Sequence, residues 1–385
     1  MERGFAIDAP AVSPRRAGPG SDADFPKRIN RATGDKRSTW RVVSPLDLTE
    51  TECSAWWQIQ AETPALASPF LSPEFTLAVA ARHPDVRVAI LESSGQIAAF
   101  FPFHKQRHIG KPIGRHLSDF QALIASPLIP IDVQTLLRAC GLDIWEFQNL
   151  LPLHATLENY AIHKSVSPFI DLRQGYEAYV AERRKAGTEH IKKTENLARR
   201  LQKDVGPLRF QYHNPDPALF TTLIDWRNRD LRAHNWSDGF QPSTIDLFER
   251  IYARKDPHFA GVLSTLHAGD RLAAVHFGMR TATRLHYWVP SYEPELAKCS
   301  PGIILLLRIA EAAAQAGIQQ VDLGPGNHEY KTRLASDHTL MISGYLHRPS
   351  FTAAVRVLRT NTTSLLRKVS LDVPAKRLAN WLHHS

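Results

Sequence analysis

The sequence lacks the features that mark membrane-spanning, secreted or metal-binding proteins. No run of about 18 apolar residues is present that would form a transmembrane helix, and the N-terminal segment holds no apolar stretch of signal-peptide length. The three cysteines, Cys53, Cys140 and Cys299, are far apart and form no Cys-x-x-Cys or Cys/His metal motif. We therefore expect a cytoplasmic protein with reduced thiols and no metal.

Net charge is scarce in the body of the chain and concentrated in its tails. The total is +9, of which residues 1–38 carry +3 and residues 351–385 carry +5. The body, residues 39–350, therefore holds about +1, which argues against a nucleic-acid-binding surface built into the fold. The basic tails are either solvated segments or a peripheral contact with an anionic membrane at its inner face.

The composition is that of a globular protein with more than one domain. Apolar residues make up 43% and charged residues 22% of the 385 residues, a length that exceeds one ordinary core. Residues 1–38 are rich in Pro, Gly, Ser, Asp and Arg, and we expect them to be disordered. We expect one domain over 39–170, a second over 171–350, and a basic, amphipathic tail over 351–385.

One structural pattern occurs twice, which indicates a duplication. "VRVAILESSGQIAAFFPFHKQR" and "FAGVLSTLHAGDRLAAVHFGMR" each predict two apolar strands joined by a glycine-containing turn. After the turn, Ile97–Phe103 aligns with Leu272–Gly278, 175 residues further on. Helices precede the hairpin in both copies, so we expect two related domains of the α+β class, with mixed, mostly antiparallel sheets flanked by helices.

Capping residues predict where several helices begin and end. Thr49 or Thr51, Ser72 and Asp216 each precede a helical pattern. In "SPGIILLLRIAEAAAQAG", Ser300 is the expected N-cap and Gly317 the expected C-cap. A buried strand, "IQQVDLG", follows, and "LMISGYLH" predicts the last strand.

The last third of the chain carries a family resemblance. "SPGIILLLRIAEAAAQAGIQQVDLGPGNHEYKTRLAS" resembles a segment shared by the Fem-type peptidyl transferases and the CelD/BcsL-type acetyltransferases, in which a helix, a hydrophobic-Asp-Leu-Gly element and an aromatic-Lys element recur. "FLSPEF", "RRKAGTEHIKKTENLARRL" and "WRNRDLRAHN" resemble further elements of these families. The resemblance covers roughly residues 40–350 and implies an N-acetyltransferase (GNAT) fold that is doubled in tandem.

The resemblance implies acyl transfer from acetyl-CoA or another acyl-CoA to an amine or hydroxyl, in the setting of cellulose or other exopolysaccharide production. The sequence departs from the usual pyrophosphate-binding loop, because "ELAKCSPGIILL" has a single glycine, Gly302. The amides of Gly302 and Ile303 at a helix N-terminus, with Ser300 and Lys298 beside them, either bind a CoA phosphate or form only a helix start.

The segment "VDLGPGNHEYKTRLAS" holds the first candidate catalytic residues. Its glycines, Gly324 and Gly326, allow a sharp turn after a sheet strand, where ligands commonly lie. Lys331 either neutralises a phosphate or a developing oxyanion, or is a solvated lysine. Asp322 either orients an amine or is structural, and Tyr330 either contacts the substrate or packs under the sheet.

Four further candidates lie on a sheet and on one helix. His276 is either a general base or a hydrogen-bonded core histidine, and Tyr287 either protonates a leaving thiolate or simply packs. Trp226 and Arg227 either line the acceptor groove or belong to a solvated helix face. The first domain has no glycine turn like that of the second, so we expect it to be a degenerate copy that shapes the groove.

The resulting prediction is an acyltransferase that acts on a small-molecule or saccharide acceptor. A Fem-like aminoacyltransferase that uses aminoacyl-tRNA is the first alternative, since it would explain the missing CoA loop and the basic helix over 182–204. The near-neutral body argues against it. A non-catalytic scaffold that keeps the fold and docks through its basic tail is the second alternative.

Overall fold

A computed structural model describes residues 38–234, 239–326 and 328–349, so the two predicted tails lie outside the described residues except for Ser38. The strands are β1 (Ser38–Val43), β2 (Val86–Ser93), β3 (Gln96–Gln106), β4 (Ile109–Pro112), β5 (Ile124–Ala125), β6 (Ile144–Leu150), β7 (Ala161–Asp171), β8 (Leu208–Gln211), β9 (Ala260–Ala268), β10 (Arg271–Arg280), β11 (Arg284–Tyr292), β12 (Gln320–Asp322) and β13 (Asp337–His347). The helices are α1 (Glu50–Glu62), α2 (Pro73–Ala80), α3 (Val133–Cys140), α4 (Ala155–Glu158), α5 (Tyr176–Lys185), α6 (His190–Asp204), α7 (Pro217–Ala233), α8 (Pro242–Tyr252), α9 (Pro301–Gln315) and α10 (Glu329–Leu334).

The thirteen strands of the described part form one sheet in the order β1-β2-β3-β4-β6-β13-β7-β12-β11-β10-β9-β8, with β5 paired to β3 outside this path. The pairs β4–β6 and β11–β12 are parallel, and the other strand pairings are antiparallel. The predicted α+β class, with a mixed and mostly antiparallel sheet flanked by helices, is confirmed.

The strand order repeats from the two ends of the sheet. One run is β1-β2-β3-β4-β6-β13, the other is β8-β9-β10-β11-β12-β7, and each contains its parallel pair at the fourth and fifth strands. The tandem repeat of the fold is therefore present, and we call the two runs the first and second half. Each half is completed by the strand that the other half supplies, because β13 pairs with β6 and β7 pairs with β12. The boundary between 170 and 171 stays a prediction.

Most of the predicted helix signals match the structure. Thr49 and Glu52 form a reciprocal capping box at α1, and the side chains of Ser72 and Asp216 cap α2 and α7. Ser300 is the N-cap residue of α9, as predicted, but its side chain makes no capping hydrogen bond. The physical reason is its backbone: a φ of 49° is left-handed, whereas a capping side chain needs an extended residue.

Residues of both halves pack against strand β11 in the hydrophobic core. Trp288 belongs to an apolar cluster that joins residues of both halves, and its ring lies 4.8 Å from that of Phe248. Tyr287 points to the opposite face of the sheet, where it packs in a second cluster with residues of α9. Among the described residues, no helix has both the length and the apolar character needed to cross a membrane.

Candidate active site

A cavity lies where the two parallel strands of the second half separate. β11 and β12 pair over three residues each, ending at His286 and Asp322. The chain then turns away from β12 at Gly324, whose φ of 74° is left-handed, while β11 continues to Tyr292. The inner cavity, of about 210 Å³, is lined by Asp119, Arg227, Asp230, Tyr287, Trp288, Pro290, Ser291, Tyr292, Gly302, Ile303, Leu323, Gly324, Pro325, His328, Tyr330 and Lys331.

A larger space adjoins the inner cavity and reaches the start of α9. This outer cavity, of about 760 Å³, is lined by Arg227, Arg229, Asp230, Ala233, His234, Tyr292, Pro294, Ala297, Ser300, Gly302, Ile303, His328 and Tyr330. Seven of these residues also line the inner cavity, so the two spaces are contiguous. A ligand that binds in both would extend from the sheet to the N-terminus of α9.

A β-bulge shapes the wall that β11 contributes. In the pairing with β10, Phe277 faces Val289 but Met279 faces His286, so Tyr287 and Trp288 together oppose Gly278. A Cβ on Gly278 would lie 2.3 Å from the backbone oxygen of His286, so only glycine fits at this position.

Two backbone positions of the wall that β11 contributes offer no free hydrogen-bond donor. The amide of Trp288 donates to Nε2 of His276 over 3.3 Å. Pro290 has no amide hydrogen to give. At these two positions, any polar contact with a ligand in the inner cavity has to come from side chains.

Lys331 is the buried cation of the inner cavity. It is 6% exposed, and its Nζ donates to the carbonyl oxygens of Gly324 and Pro325 over 3.2 and 2.9 Å. Burial lowers the pKa of Lys331 from 10.5 to about 8, and the nearby carboxylate of Asp119 offsets part of this effect. The glycine turn predicted from the sequence thus holds the ammonium group by its carbonyls.

Arg227 places a second cation where the inner and outer cavities meet. The residue is 8% exposed, and burial lowers its pKa despite the opposing effects of Asp230 and Tyr330. Asp230 lies one turn further along α7 and accepts a hydrogen bond from Oγ of Ser291 over 3.3 Å. Two buried cations and several polar groups make this region suitable for an anionic or strongly polar ligand.

His276 and Tyr287 are neighbours but differ in their access to the inner cavity. Their rings stack at 4.2 Å, but Tyr287 lines the inner cavity, whereas His276 does not. Burial lowers the pKa of His276 to about 3, so this histidine is neutral at physiological pH. Burial also raises the pKa of Tyr287, whose hydroxyl donates to the carbonyl of Gly302 over 3.4 Å. Tyr287 therefore keeps its phenol proton at neutral pH, at the wall of the inner cavity.

Asp322 and Trp226 lie outside the residues that line either cavity. Asp322 is fully buried, its Oδ2 lies 3.8 Å from Nη1 of Arg284, and burial raises its pKa. Trp226 packs against the core that joins the halves, with the guanidinium of Arg229 5.6 Å from its ring centre. Tyr330, in contrast, lines both cavities, and its predicted contact with the substrate stays a prediction.

Of the residues predicted to bind CoA, some line a cavity and one does not. Gly302 and Ile303 line both cavities, Ser300 lines the outer cavity, and the exposed Lys298 lines neither. The amide of Ile303 donates to the carbonyl of Ser300 over 3.0 Å. Of the two amides expected to be available to a phosphate, only that of Gly302 lacks an acceptor within the helix.

Sequence reasoning missed Asp119, which comes from the first half. It follows β4 in the chain, lines the inner cavity and accepts a hydrogen bond at Oδ2 from Nε2 of His286 over 2.8 Å. A Cβ on Gly324 would lie 3.0 Å from the same oxygen, so the glycine also makes room for this carboxylate. Asp119 and His286 are 167 residues apart, and no local pattern marks either.

The first half also supports the cavity wall by packing. Phe70, in the "FLSPEF" segment, lies edge-on to His286 at 4.7 Å and to Trp288 at 5.2 Å between ring centres. Within the described residues, no group of three or more His, Cys, Asp or Glu side chains is arranged to hold a metal ion.

A segment of the chain that includes much of this site is similar to a known protein family. Residues 189–332 match the family described as "Acetyltransferase (GNAT) domain", a segment that contains Arg227, Tyr287 and Lys331. No curated protein matches the sequence at a significant level. The finer resemblance to the CelD/BcsL group stays a prediction.

Several solved structures are similar to this chain at low sequence identity. The C-terminal domain (DUF2156) of a "Putative Lysylphosphatidylglycerol Synthetase" from Agrobacterium fabrum is 14% identical, has a TM-score of 0.51, and the alignment covers 80% of this chain and 95% of that one. A tandem GNAT protein from the clavulanic acid biosynthesis pathway is 11% identical with a TM-score of 0.43, covering 82% and 100%. FemX is 8% identical with a TM-score of 0.45, covering 68% and 87%.

Proposed function

We propose that the protein transfers an acyl group, acetyl in the simplest case, from a CoA thioester to an amine or hydroxyl acceptor. The observation that carries this proposal is the open gap between the parallel strands β11 and β12, walled by the buried cations Arg227 and Lys331. The match to a GNAT acetyltransferase domain over residues 189–332 supports acyl transfer as the reaction class.

Lys331 is suited to stabilise the negative charge that develops on the acyl oxygen. Attack on a thioester produces an oxyanion, and a fixed cation in a water-poor site lowers the energy of that state strongly. The amide of Trp288 is engaged and Pro290 has none, so these two positions supply no donor in its place. Direct attack by the acceptor requires no covalent enzyme intermediate, and none of the three cysteines lines either cavity.

Tyr287 is suited to protonate the leaving thiolate. Its hydroxyl lies beside the carbonyl of Gly302, at the junction of the two cavities, and its raised pKa keeps the proton on the phenol at neutral pH. The rest of the CoA molecule would extend through the outer cavity toward α9. There the Gly302 amide, Ser300 and Arg229 are the groups that fit a phosphate.

The first test is calorimetric titration of the full-length protein with acetyl-CoA. We expect micromolar binding that weakens at least about tenfold, or by about 1.4 kcal/mol, in Lys331→Ala and in Arg227→Ala. Lys203→Ala removes one positive charge from the exposed face of α6 and serves as the matched control. Absence of binding in protein shown to be folded would contradict the CoA proposal.

For the acceptor, we propose a saccharide. The resemblance to the CelD/BcsL group supports a saccharide acceptor in cellulose or other exopolysaccharide synthesis. Contact between the C-terminal tail and an anionic membrane fits the same setting, and it concerns residues outside the described part. Both remain proposals to be tested by acceptor screening and by vesicle sedimentation.

Aminoacyl transfer from aminoacyl-tRNA is the second candidate. It is favoured by the incomplete phosphate turn at α9 and by exposed basic side chains on α5 and α6, namely Arg184, Lys185, Lys192, Lys193, Arg199, Arg200 and Lys203. Those charges predict strongly salt-dependent tRNA binding. Filter binding with aminoacyl-tRNA and with tRNA that carries no amino acid decides between the candidates. Tight binding that requires the aminoacyl group, together with no affinity for acetyl-CoA, would favour aminoacyl transfer.

A further inference from the structure

A third cavity lies where the first half meets helix α8. Its volume is about 140 Å³, far above the roughly 10–15 Å³ that one water molecule needs. The end of α2, strand β3 and residues 114–117 form one side of it, and the start of α8 forms the other. The described residues that line it line neither the inner nor the outer cavity, so the third cavity is a separate place on the molecule.

The ionisable side chains on the wall of this cavity are all arginine or histidine. They are Arg82, His83, His104, Arg115 and His116, and no Asp or Glu of the described residues lines the cavity. Two carboxylates pair with the arginines from outside the wall. Asp246 lies 2.8 Å from Arg82, and Asp85 lies 3.1 Å from Arg115. A wall that presents cations without a carboxylate suits an anion.

Helix α8 begins at the cavity and adds a backbone donor. Its N-cap residue, Gln241, makes no side-chain capping hydrogen bond. The amides of Thr244 and Ile245 donate to the carbonyl of Gln241 over 2.9 and 3.2 Å, and Pro242 has no amide hydrogen. The amide of Ser243, which also lines the cavity, has no acceptor within the helix, and the positive end of the helix dipole favours an anion there.

His104 is the residue that points to a ligand. It is 1% exposed, and its Nδ1 lies 3.2 Å from Oδ2 of Asp85. A carboxylate only accepts hydrogen bonds, so Nδ1 carries the hydrogen and Nε2 is an acceptor as long as the ring is neutral. Burial lowers the pKa of His104 to about 4, which keeps it neutral at physiological pH. Nε2 has no hydrogen-bond partner among the described residues, a costly state for a buried polar atom.

We propose that the third cavity binds a phosphate group that carries one hydrogen, such as inorganic hydrogen phosphate. The hydrogen donates to Nε2 of His104, and the charged oxygens accept from Arg115 and from the amide of Ser243. Nε of Arg115 is available for this contact, because it is buried and has no partner within the described part of the chain. Sulfate has the same shape and charge but no hydrogen at neutral pH, so the unprotonated Nε2 disfavours it.

Calorimetric titration of the full-length protein with sodium phosphate, and separately with sodium sulfate, tests this inference at pH 7.5 and equal ionic strength. We expect one phosphate site with a Kd below about 1 mM. Sulfate should bind at least about tenfold more weakly, because its oxygen lone pairs meet the lone pair of Nε2. Folded protein that shows no phosphate binding at about 10 mM, or that binds both anions equally well, would overturn the inference.

Two variants test the wall of the cavity, and a third serves as the control. Arg115→Met should weaken phosphate binding about tenfold or more. His104→Leu should remove the preference for phosphate over sulfate, and if this variant does not fold, Arg115→Met still decides. Arg138→Met removes an exposed arginine of α3 that lines none of the three cavities, so it should change the Kd of phosphate less than about twofold.

A further variant separates this site from the one proposed for CoA. Lys331→Ala should leave phosphate binding intact, and Arg115→Met should leave acetyl-CoA binding intact, because the two residues line different cavities. Loss of phosphate binding in Lys331→Ala together with normal binding in Arg115→Met would put the phosphate in the inner cavity and overturn the inference. Failure of acetyl-CoA to bind contradicts the proposed acyl transfer and leaves this site standing.

Methyl phosphate distinguishes free phosphate from the phosphate end of a larger ligand. Its second pKa is about 6, so at pH 5.5 the form with one hydrogen predominates. Affinity similar to that of inorganic phosphate at the same pH would assign the site to phosphate monoesters. Affinity more than about tenfold lower would assign it to free phosphate, since the methyl group then has no room.

Discussion

The two halves of the sheet share one strand order but differ in the gap beside their parallel pair. In the second half the gap between β11 and β12 is open and forms the inner cavity. In the first half, Gln121 bridges to Leu150 of β6. The opposite edge of Leu150 is already paired with β13, so Gln121 occupies the side of β6 that faces β4. In the first half, therefore, the segment around Gln121 fills the gap beside the parallel strands, whereas the corresponding gap in the second half is open.

The segment that fills the first gap is also the one that reaches the second. Asp119 precedes Gln121 by two residues and lines the inner cavity. Phe70 of the same half packs against β11. A half whose own gap is filled can thus still contribute to a site, by supplying a carboxylate and an apolar support. From the sequence we expected the first half to shape the acceptor groove. That expectation did not include a side chain of the first half, such as Asp119, in the wall of the cavity.

The largest expected effect comes from filling the open gap. An ideal Cβ on Gly302 would be no closer than 3.6 Å to its nearest neighbour, Cδ1 of Tyr292, so Gly302→Leu should fold and project into the cavities that the glycine lines. We expect acetyl-CoA binding to weaken by about 100-fold or more, which is about 3 kcal/mol, with little change in Tm. Calorimetry and thermal denaturation measure the two quantities.

The counterpart in the first half is Gly110→Ala on β4. A Cβ there would lie 2.7 Å from Leu142 and 2.8 Å from Trp145, so the packed gap should lose about 1–3 kcal/mol of stability. The Kd of acetyl-CoA should stay within about twofold of wild type, since Gly110 lines neither cavity. If Gly110→Ala abolished binding while Gly302→Leu left it intact, the contrast between the two gaps would be wrong.

Acid should destabilise the protein through its buried histidines. The pKa of His276 falls from 6.5 to about 3 on burial, so between these values the unfolded chain binds more protons and stability decreases as the pH falls. The contribution at pH 5 is about 2 kcal/mol relative to neutral pH. His276→Gln keeps an acceptor for the Trp288 amide and should remove this part of the pH dependence in urea unfolding at pH 5 and 7.5.

His104 on β3 provides the comparison from the first half. Burial lowers its pKa to about 4, although the carboxylate of Asp85, 3.2 Å from Nδ1, opposes the shift. His104→Gln should therefore also reduce the loss of stability in acid. Unchanged pH dependence in both variants would show that neither imidazole stays neutral in the folded state.

The smallest predicted effect concerns Lys331 in mild alkali. Its pKa is lowered from 10.5 to about 8, so the unfolded chain binds more protons between these values and stability increases as the pH rises. From pH 8 to 9 the gain is about 1 kcal/mol. Wild type should show this gain relative to Lys331→Met in urea unfolding, and parallel curves for the two proteins would contradict a lowered pKa.

Local signals predicted a good part of the fold. The two hairpins and the caps Thr49, Ser72 and Asp216 were readable because each depends on residues close in sequence. The strands β4, β6 and β7 and the exchange of β7 and β13 were not predicted. β13 pairs with β7 through contacts such as Asp337 with Phe169, which no short window of sequence contains.

In the candidate site, too, features that depend on neighbouring residues were predicted and long-range contacts were not. The turn at Gly324 and the position of Lys331 were predicted, because a glycine turn after a strand is a local pattern. The pairing of Asp119 with His286 depends on two segments 167 residues apart. The N-cap position of Ser300 was also predicted. Its left-handed backbone, which leaves its side chain without a capping hydrogen bond, depends on its surroundings and was not.

The exchange of β7 and β13 has a consequence for how the chain is assembled during synthesis. The first half receives its sixth strand from residues 337–347, so one edge of β6 stays unpaired until these residues have left the ribosome. In the second half, by contrast, β7 has already been synthesised when β12 leaves the ribosome, so β12 can pair with it at once. Cutting the chain between β7 and α5 would leave each fragment holding the strand that the other lacks, so the fragments should recognise each other as complementary partners rather than fold as independent proteins.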